Sequence, residues 1–445
     1  MKYANWASKE DMKNRLVPVN LTTGVKRSGI PIMYDDEYLY IDNKDAHSLV
    51  IGSTGSGKTQ STILPMTKLS MMAGESIILN DVKGEIYKQT ANELEKRGYN
   101  VLVLNFENSN LGNSWNPFTL PYKLFQNGQK DKALDLVEDL GYYLFNDPSE
   151  KSTDPFWVNS VIDYFTGITL YLFEHAKENE VNLNSIYSFS NTVVVEPKHF
   201  LNKIDKNSSI YYNVSGTLNA PTETRGSIIS VFNQKIRKYV SRELLSNMMA
   251  TTDFDITNIS NEKTAIFIVS GNSTYSSNLI PLFINQVFDC VNMYGKKEKP
   301  LNVLLDEFDT MLPIKDFSKL IHYSRSINLR FIVVVKSYMD LLNMYGKENT
   351  EILKMCFANI IYLLSNDIYT LEEISNMCGT INENEKLITV EELKTMKMFE
   401  AIILTPRVMP FKTKLLPDYE IDWGYEPFIK TMPKRTENII NIYSE

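Results

Sequence analysis

The hydrophobic positions along the chain fall into two textures. Eight short runs rich in Ile, Leu and Val, each closed by a turn or polar residue, lie at 48–52, 76–81, 100–106, 264–270, 301–307, 330–336, 359–364 and 401–405. Their apolar character is continuous rather than alternating, which suits strands buried on both faces of a mainly parallel sheet. The segments 60–72 and 86–97 have the length and spacing of crossover helices, so the pattern predicts an α/β core. Between about 120 and 220 the apolar positions take up a helical period instead, clearest in 133–145 and 156–176, and isolated strand runs become few. This predicts an inserted all-α domain at 121–218, leaving the core discontinuous in sequence as 1–120 and 219–445. A helical segment at 225–239 precedes the return of strand texture. The stretch after Pro417, with mixed charge and two further prolines, reads as a peripheral arm.

At 445 residues the chain is long for one core, which agrees with two. Apolar residues at 43% and charged residues at 22% describe a folded globular protein. The expectation is of neither a membrane anchor nor a signal peptide: no apolar stretch is long enough to span a bilayer, and Trp6, Lys9, Glu10 and Asp11 crowd the N-terminal region. Cys290, Cys356 and Cys378 are three and far apart, which excludes a disulfide framework or close-paired zinc ligands and fits a reducing cytosol. The four histidines, His47, His175, His199 and His322, lack metal-ligand spacing. A net charge of −8 gives no global attraction to nucleic acid, although a local basic channel is compatible with it. Residues 121–218 carry 13 acids against 8 bases, a poor surface for gripping phosphates.

The strongest chemical signal is Gly52-Ser53-Thr54-Gly55-Ser56-Gly57-Lys58-Thr59, a complete G-x-x-x-x-G-K-[ST] match between an apolar strand and a helix. Glycines let backbone N–H groups close around phosphates, and the following helix N-terminus, beginning at Gln60, favours their charge. Lys58 is placed to reach the β- and γ-phosphates of ATP, and Thr59 to ligate Mg²⁺. A second signal is the run 301–307, which ends in Asp306-Glu307. Such a pair is common as a solvated strand edge, but with the complete phosphate loop upstream it reads as a Mg²⁺-holding Asp306 and a water-polarising Glu307. The adjacent acids favour a RecA-like or additional-strand ATPase over a small-molecule kinase. Arg325 lies 19 residues beyond Asp306, where ring ATPases can place an arginine that reaches a neighbour's γ-phosphate; the residues alone also allow a surface arginine. Lys336 closes the run 330–336 either as a γ-phosphate sensor or as a solvated lysine. Asp81 and Lys83 end the run 76–81 either near the ligand crevice or in a tight turn at Gly84.

Several segments in order resemble the type IV coupling proteins of conjugation and type IV secretion, the TraG-like ATPases. They are Trp6-Ala7-Ser8-Lys9-Glu10, the phosphate loop with Ile63-Leu64-Pro65, Asp81-Val82-Lys83-Gly84-Glu85-Ile86-Tyr87, Asn116-Pro117, Pro155-Phe156-Trp157, Leu304-Leu305-Asp306-Glu307-Phe308, Arg325-Ser326, Tyr362-Leu363-Leu364-Ser365-Asn366-Asp367 and Leu387-Ile388-Thr389-Val390-Glu391-Glu392-Leu393. The likeness runs from about residue 6 to 415. It implies a RecA-like P-loop core with an inserted all-α, substrate-selecting domain, and a homohexameric ring at the cytoplasmic face of the bacterial membrane. It further implies ATP-driven delivery of single-stranded DNA with its relaxase or relaxosome, or of effector proteins, to secretion channel components. The resemblance also transfers the arginine-finger role to Arg325. Two departures stand out: the N-terminal membrane helices of most members are missing from this sequence, and Lys336 stands where the family usually has Gln. The second departure, with the acidic helical lobe, raises an ATP-gated receptor that turns over little as an alternative. A soluble FtsK- or HerA-like DNA translocase is another, against which the segments 81–87 and 155–157 argue.

Overall fold

The computed structural model describes residues 3–35, 37–146, 154–271, 275–295 and 298–445. All eight apolar runs are strands. In chain order the strands are β1 (Val17–Val19), β2 (Ile30–Tyr34), β3 (Leu39–Asp42), β4 (His47–Gly52), β5 (Ser76–Asn80), β6 (Asn100–Asn105), β7 (Thr264–Val269), β8 (Leu301–Leu305), β9 (Leu329–Val335), β10 (Phe357–Leu364), β11 (Glu400–Leu404) and β12 (Phe411–Lys414). Nine of them form one sheet in the order β12-β11-β10-β4-β9-β8-β5-β7-β6. The pairs from β10 through β4, β9, β8 and β5 to β7 are parallel, and β10, β11 and β12 close that edge antiparallel. Every residue of β4, β5, β7, β8 and β9 is buried, which is why these strands read as unbroken apolar runs. This is a RecA-like P-loop α/β architecture: β9 separates β4, which feeds the phosphate loop, from β8, which ends in the acidic pair.

The three strands β1, β3 and β2 form a separate small antiparallel sheet that the apolar pattern does not foretell. They are three to five residues long, and Pro18 and Pro31 interrupt the signal. The expected helix at 60–72 begins as a π-helical turn, Thr59–Ile63, and continues as the α-helix Leu64–Ala73. Such turns gather at functional sites.

The chain forms two compact units, one of Met1–Leu102, Thr257–Val269 and Phe288–Thr431, the other of Val103–Ile256, Ser270–Val287 and Met432–Glu445. The second is therefore wider than the expected 121–218. One reason is the helix Thr222–Val240, whose Phe232 stacks on Phe145 and meets Tyr164 edge-on, so the segment packs with the helices before it. The other is the end of the chain. There the side chains of Asn182 and Asn247 donate to the carbonyls of Asn441 and Asn438 (2.8 and 2.7 Å), and Tyr443 packs edge-on against Phe189. What reads as a peripheral arm is, from Met432 onward, part of the helical unit. Among the described residues no helix is long and apolar enough to cross a membrane.

At the N-terminal ends of the parallel strands the first unit buries an ion pair. Arg330, at the start of β9, donates to the carboxylate of Glu75, and both are almost wholly excluded from solvent. The Glu75 carboxylate also accepts from the Ser28 backbone N–H and the Asn302 side chain (2.9 Å each), while Arg330 donates to the Ser28 carbonyl (2.8 Å). A buried pair with this many hydrogen bonds is nearly neutral when intact and costly when halved. Glu75→Ala is expected to lower the stability of the protein by about 3 to 5 kcal/mol. Chemical denaturation checks this, with Glu75→Gln expected to lose less because it keeps an acceptor.

Candidate functional site

β4 ends at Gly52, and the chain turns into a loop whose shape is set by backbone conformations that side chains resist. Gly55 and Gly57 have φ of +81° and +90°, in the left-handed half of the map that glycine alone enters freely. The Ser53 N–H donates to the carbonyl of Leu364 at the end of β10 (2.8 Å), and the Ser56 N–H to the carbonyl of Ser53 (3.1 Å). A Cβ on Gly57 would lie 2.4 Å from the ring of Phe399, and one on Gly52 2.4 Å from Ser56 Oγ. Phe399 itself has φ +66°, which is strained for a bulky residue and marks a place held by its surroundings.

Parallel register brings the rest of the chemistry to this edge. Ile51 pairs with Val335, Leu305 with Val333, and Asn80 with Leu305. Gly52, Lys336, Asp306 and Asp81 therefore all leave the sheet at its C-terminal edge, where open α/β sheets bind ligands. Thr59 Oγ1 donates to Asp306 Oδ2 (2.9 Å), closing a contact between the end of the phosphate loop and the strand two places away. Asn80 fixes the backbone of that acid by donating to the Asp306 carbonyl (2.7 Å). Lys58 Nζ donates to the Ser53 carbonyl (3.0 Å), curling over the loop. Glu307 follows with φ +48°, a left-handed backbone that turns the chain sharply after the strand, and its N–H donates to Asp306 Oδ1 (3.0 Å). Lys336 is not freely solvated: Nζ bonds Asp309 Oδ2 at 2.5 Å, and this partner holds the ammonium above its ordinary pKa.

Burial sets the protonation tendencies. It pushes the Lys58 ammonium down, opposed by the negative charges of Asp306 and Glu307. It pushes the Asp306 carboxyl up, opposed by the Thr59 hydroxyl and by Lys58. Asp81 is raised to about 6, again mainly by burial, even though the N–H of Tyr87 donates to it at 2.7 Å. The two readings of that segment are both realised: Gly84 makes a tight turn at φ +68°, and Asp81 stands close enough to Asp306 for their charges to interact, whereas Lys83 is exposed.

The residues present fit a polyphosphate with a hard divalent cation. Positive-φ glycines and an N-terminal helical turn form the cradle, and the buried Ser56 Oγ has no hydrogen-bond partner among the described residues. Thr59 and Asp306 offer one hydroxyl and one carboxylate oxygen, the small protein share typical of a cation that keeps its other positions for phosphate and water. Arg325 is not in this cluster. It sits in the 3-10 turn Arg325–Ile327 just before β9, at the opposite end of the strand, which at about 3.3 Å per residue is roughly 20 Å away. There it lines a cavity of about 380 Å³ with Arg15, His47 and Arg407.

A family model for type IV secretory system conjugative DNA transfer matches residues 5–396. The chain belongs to this family. Its fold is similar to that of the plasmid coupling protein TrwB in complex with the non-hydrolysable ATP analogue ADPNP, at a TM-score of 0.71 and 14% identity, covering 99% of this chain and 97% of that one. TrwB in complex with ADP and Mg²⁺ matches at 0.70 and 14%, covering 98% and 96%. VirB4 of Thermoanaerobacter pseudethanolicus matches at 0.58 and 12%, covering 88% and 98%. No curated protein matches the chain in sequence.

For this member of the conjugative DNA transfer family, two residues at the site escape sequence reasoning. Asp309, the partner of Lys336, carries only the weak signal of a third acid three residues after Asp306. Phe399 carries none, because it reaches Gly57 across some 340 residues of sequence. Gly57→Ala is expected to weaken ATP binding at least about tenfold, since backbone strain of roughly 1 to 3 kcal/mol adds to the collision with Phe399. The pair Gly57→Ala with Phe399→Ala should recover only part of the loss, as isothermal titration would show. Asp81 gives a pH test. Its folded pKa lies above the unfolded value, so its protonated form favours the fold below about pH 4, and that contribution disappears as pH rises through about 6. The melting temperature of the wild type relative to Asp81→Asn is therefore expected to fall between pH 4 and pH 7.

Proposed function

We propose that this chain is the coupling ATPase of a conjugative type IV secretion machine. In this reading it binds Mg²⁺ and ATP on the loop Gly52–Gln60, and hydrolysis drives the transfer of single-stranded DNA with its relaxase, or of effector proteins. The observation that carries the proposal is the Thr59–Asp306 contact: a complete phosphate loop and an acidic strand end, 247 residues apart, meet at one sheet edge in a chain of the conjugative DNA transfer family. Bound TrwB structures with ADPNP and with ADP and Mg²⁺ support the same ligands here.

Each residue then has a task. The backbone N–H groups of Thr54, Gly55, Gly57, Lys58, Thr59 and Gln60 surround the β-phosphate on the loop shaped by the Ser53 and Ser56 backbone bonds, and Lys58 swings from the Ser53 carbonyl to bridge β- and γ-oxygens. Thr59 and Asp306 would hold the cation, whose charge would offset that of the phosphates. Glu307, next to Asp306 on a left-handed backbone, orients and polarises the attacking water. Arg325, too far from its own loop, acts on the γ-phosphate of a neighbouring copy, which makes a homohexameric ring the working form. The helical unit presents the substrate-selecting surface, and the machine works at the cytoplasmic face of the bacterial membrane beside the secretion channel. Asp309 restrains Lys336 at the γ-phosphate side, so the ammonium stands in for the polar sensor that the family places there. This pairing weakens the motive for a receptor with little turnover.

Lys58→Ala should abolish ATP binding measured by titration. Glu307→Gln should keep binding within about threefold while turnover falls by two or more orders of magnitude. Equal turnover after Glu307→Gln would overturn the assignment. Arg325→Ala should reduce the DNA-stimulated rate by about 10³-fold, and mixing it with Lys58→Ala subunits should restore part of the rate. Demonstrably mixed rings without rescue would show that Arg325 does not act between subunits.

A further inference from the structure

The phosphate end of the site is built from motifs; the base end of the nucleotide is not, and no motif marks it. In a phosphate loop the α-phosphate leaves toward the first residues of the following helix, so ribose and base extend past Thr59 and Gln60. One element against that turn, besides β2, is the short 3-10 turn Asp418–Glu420, which packs on the π-helical turn Thr59–Ile63.

This turn is anchored firmly on its inner side. Asp418 is buried and accepts from Lys68 Nζ of the helix Leu64–Ala73 at 2.7 Å. The Lys68 ammonium lies over the rings of Trp423 and Tyr425 (5.2 and 6.0 Å to their centres), and Trp423 Nε1 donates to the Asp418 carbonyl (3.3 Å). On its outer side the same turn presents Tyr419, a residue 67% exposed. The Tyr419 ring touches the edge of Phe399, with centres 6.4 Å apart, and Phe399 in turn lies on Gly57 of the phosphate loop. An exposed aromatic ring on a rigidly pinned turn, one ring away from the phosphate cradle, loses little conformational freedom when a flat ligand stacks on it.

We propose that Tyr419 is the platform on which the base of the bound nucleotide stacks, with Phe399 as the spacer that sets its height above the phosphate loop. The inference rests on the reading of Gly52–Gln60 as a nucleotide site and extends it to the other end of the ligand. Every base has a π face, so stacking on a phenol ring recognises a base without choosing sharply between adenine and guanine.

Isothermal titration with ATP and with inorganic tripolyphosphate separates the two ends of the site. Tyr419→Ala is expected to weaken ATP and GTP about tenfold each and to leave tripolyphosphate unchanged, whereas Tyr419→Phe keeps wild-type affinity. The indole introduced by Tyr419→Trp is expected to be quenched by ATP and not by tripolyphosphate. Unchanged ATP affinity in Tyr419→Ala, or equal losses for ATP and tripolyphosphate, would overturn the proposal. Lys58→Ala reports separately on the underlying reading: it should lose both ligands, and retained tripolyphosphate binding would refute the phosphate site rather than the base platform.

Discussion

The hydrogen bond from the Thr59 hydroxyl to the Asp306 carboxylate is the contact on which the functional architecture turns. It joins residues from opposite sides of the helical insertion in sequence, and it forms only because β4, β9 and β8 run parallel and in register. Parallel strands need long crossovers, so the phosphate loop and the acidic pair must come from distant stretches of chain. The sheet converts that distance into adjacency. Asn80, Ser53 and Leu364 then hold the individual pieces through backbone contacts, so the donors face the ligand before it arrives.

Strain and burial concentrate at this same edge. Gly55, Gly57, Glu307 and Phe399 all occupy left-handed backbone, and Lys58, Asp306 and Asp81 are all held away from their ordinary pKa values by burial. The opposite end of the strands behaves differently. There, the buried charges of Glu75 and Arg330 face each other as an ion pair. One rim of the sheet thus gathers several charges around a place for a charged ligand, and the other buries two opposite charges against each other.

The eight apolar runs were legible because fully buried parallel strands have no polar face to dilute their signal. The phosphate loop and Asp306-Glu307 were legible because their chemistry needs fixed residue types at fixed spacing. β1, β2 and β3 were not: they are three to five residues long, and prolines interrupt two of them. Phe399 and Tyr419 were not, because a side chain that works through packing on a remote loop leaves no local pattern. The extent of the helical unit is hard to read from sequence for a related reason. Spacing in 225–239 predicts a helix, but only contacts such as Phe232 on Phe145 reveal which core it joins.

The helical unit draws on three separated stretches of chain, the last being Met432–Glu445. The contacts that Asn182, Asn247 and Phe189 make with that last stretch span 191 to 259 residues of sequence, so they wait until the segments between have been placed. Those polar side chains must stay solvated until then, and the non-local contacts that complete the unit form late. The helical unit is therefore completed by stretches from both sides of strands β8 to β12 in sequence, and its folding is tied to the placement of those strands.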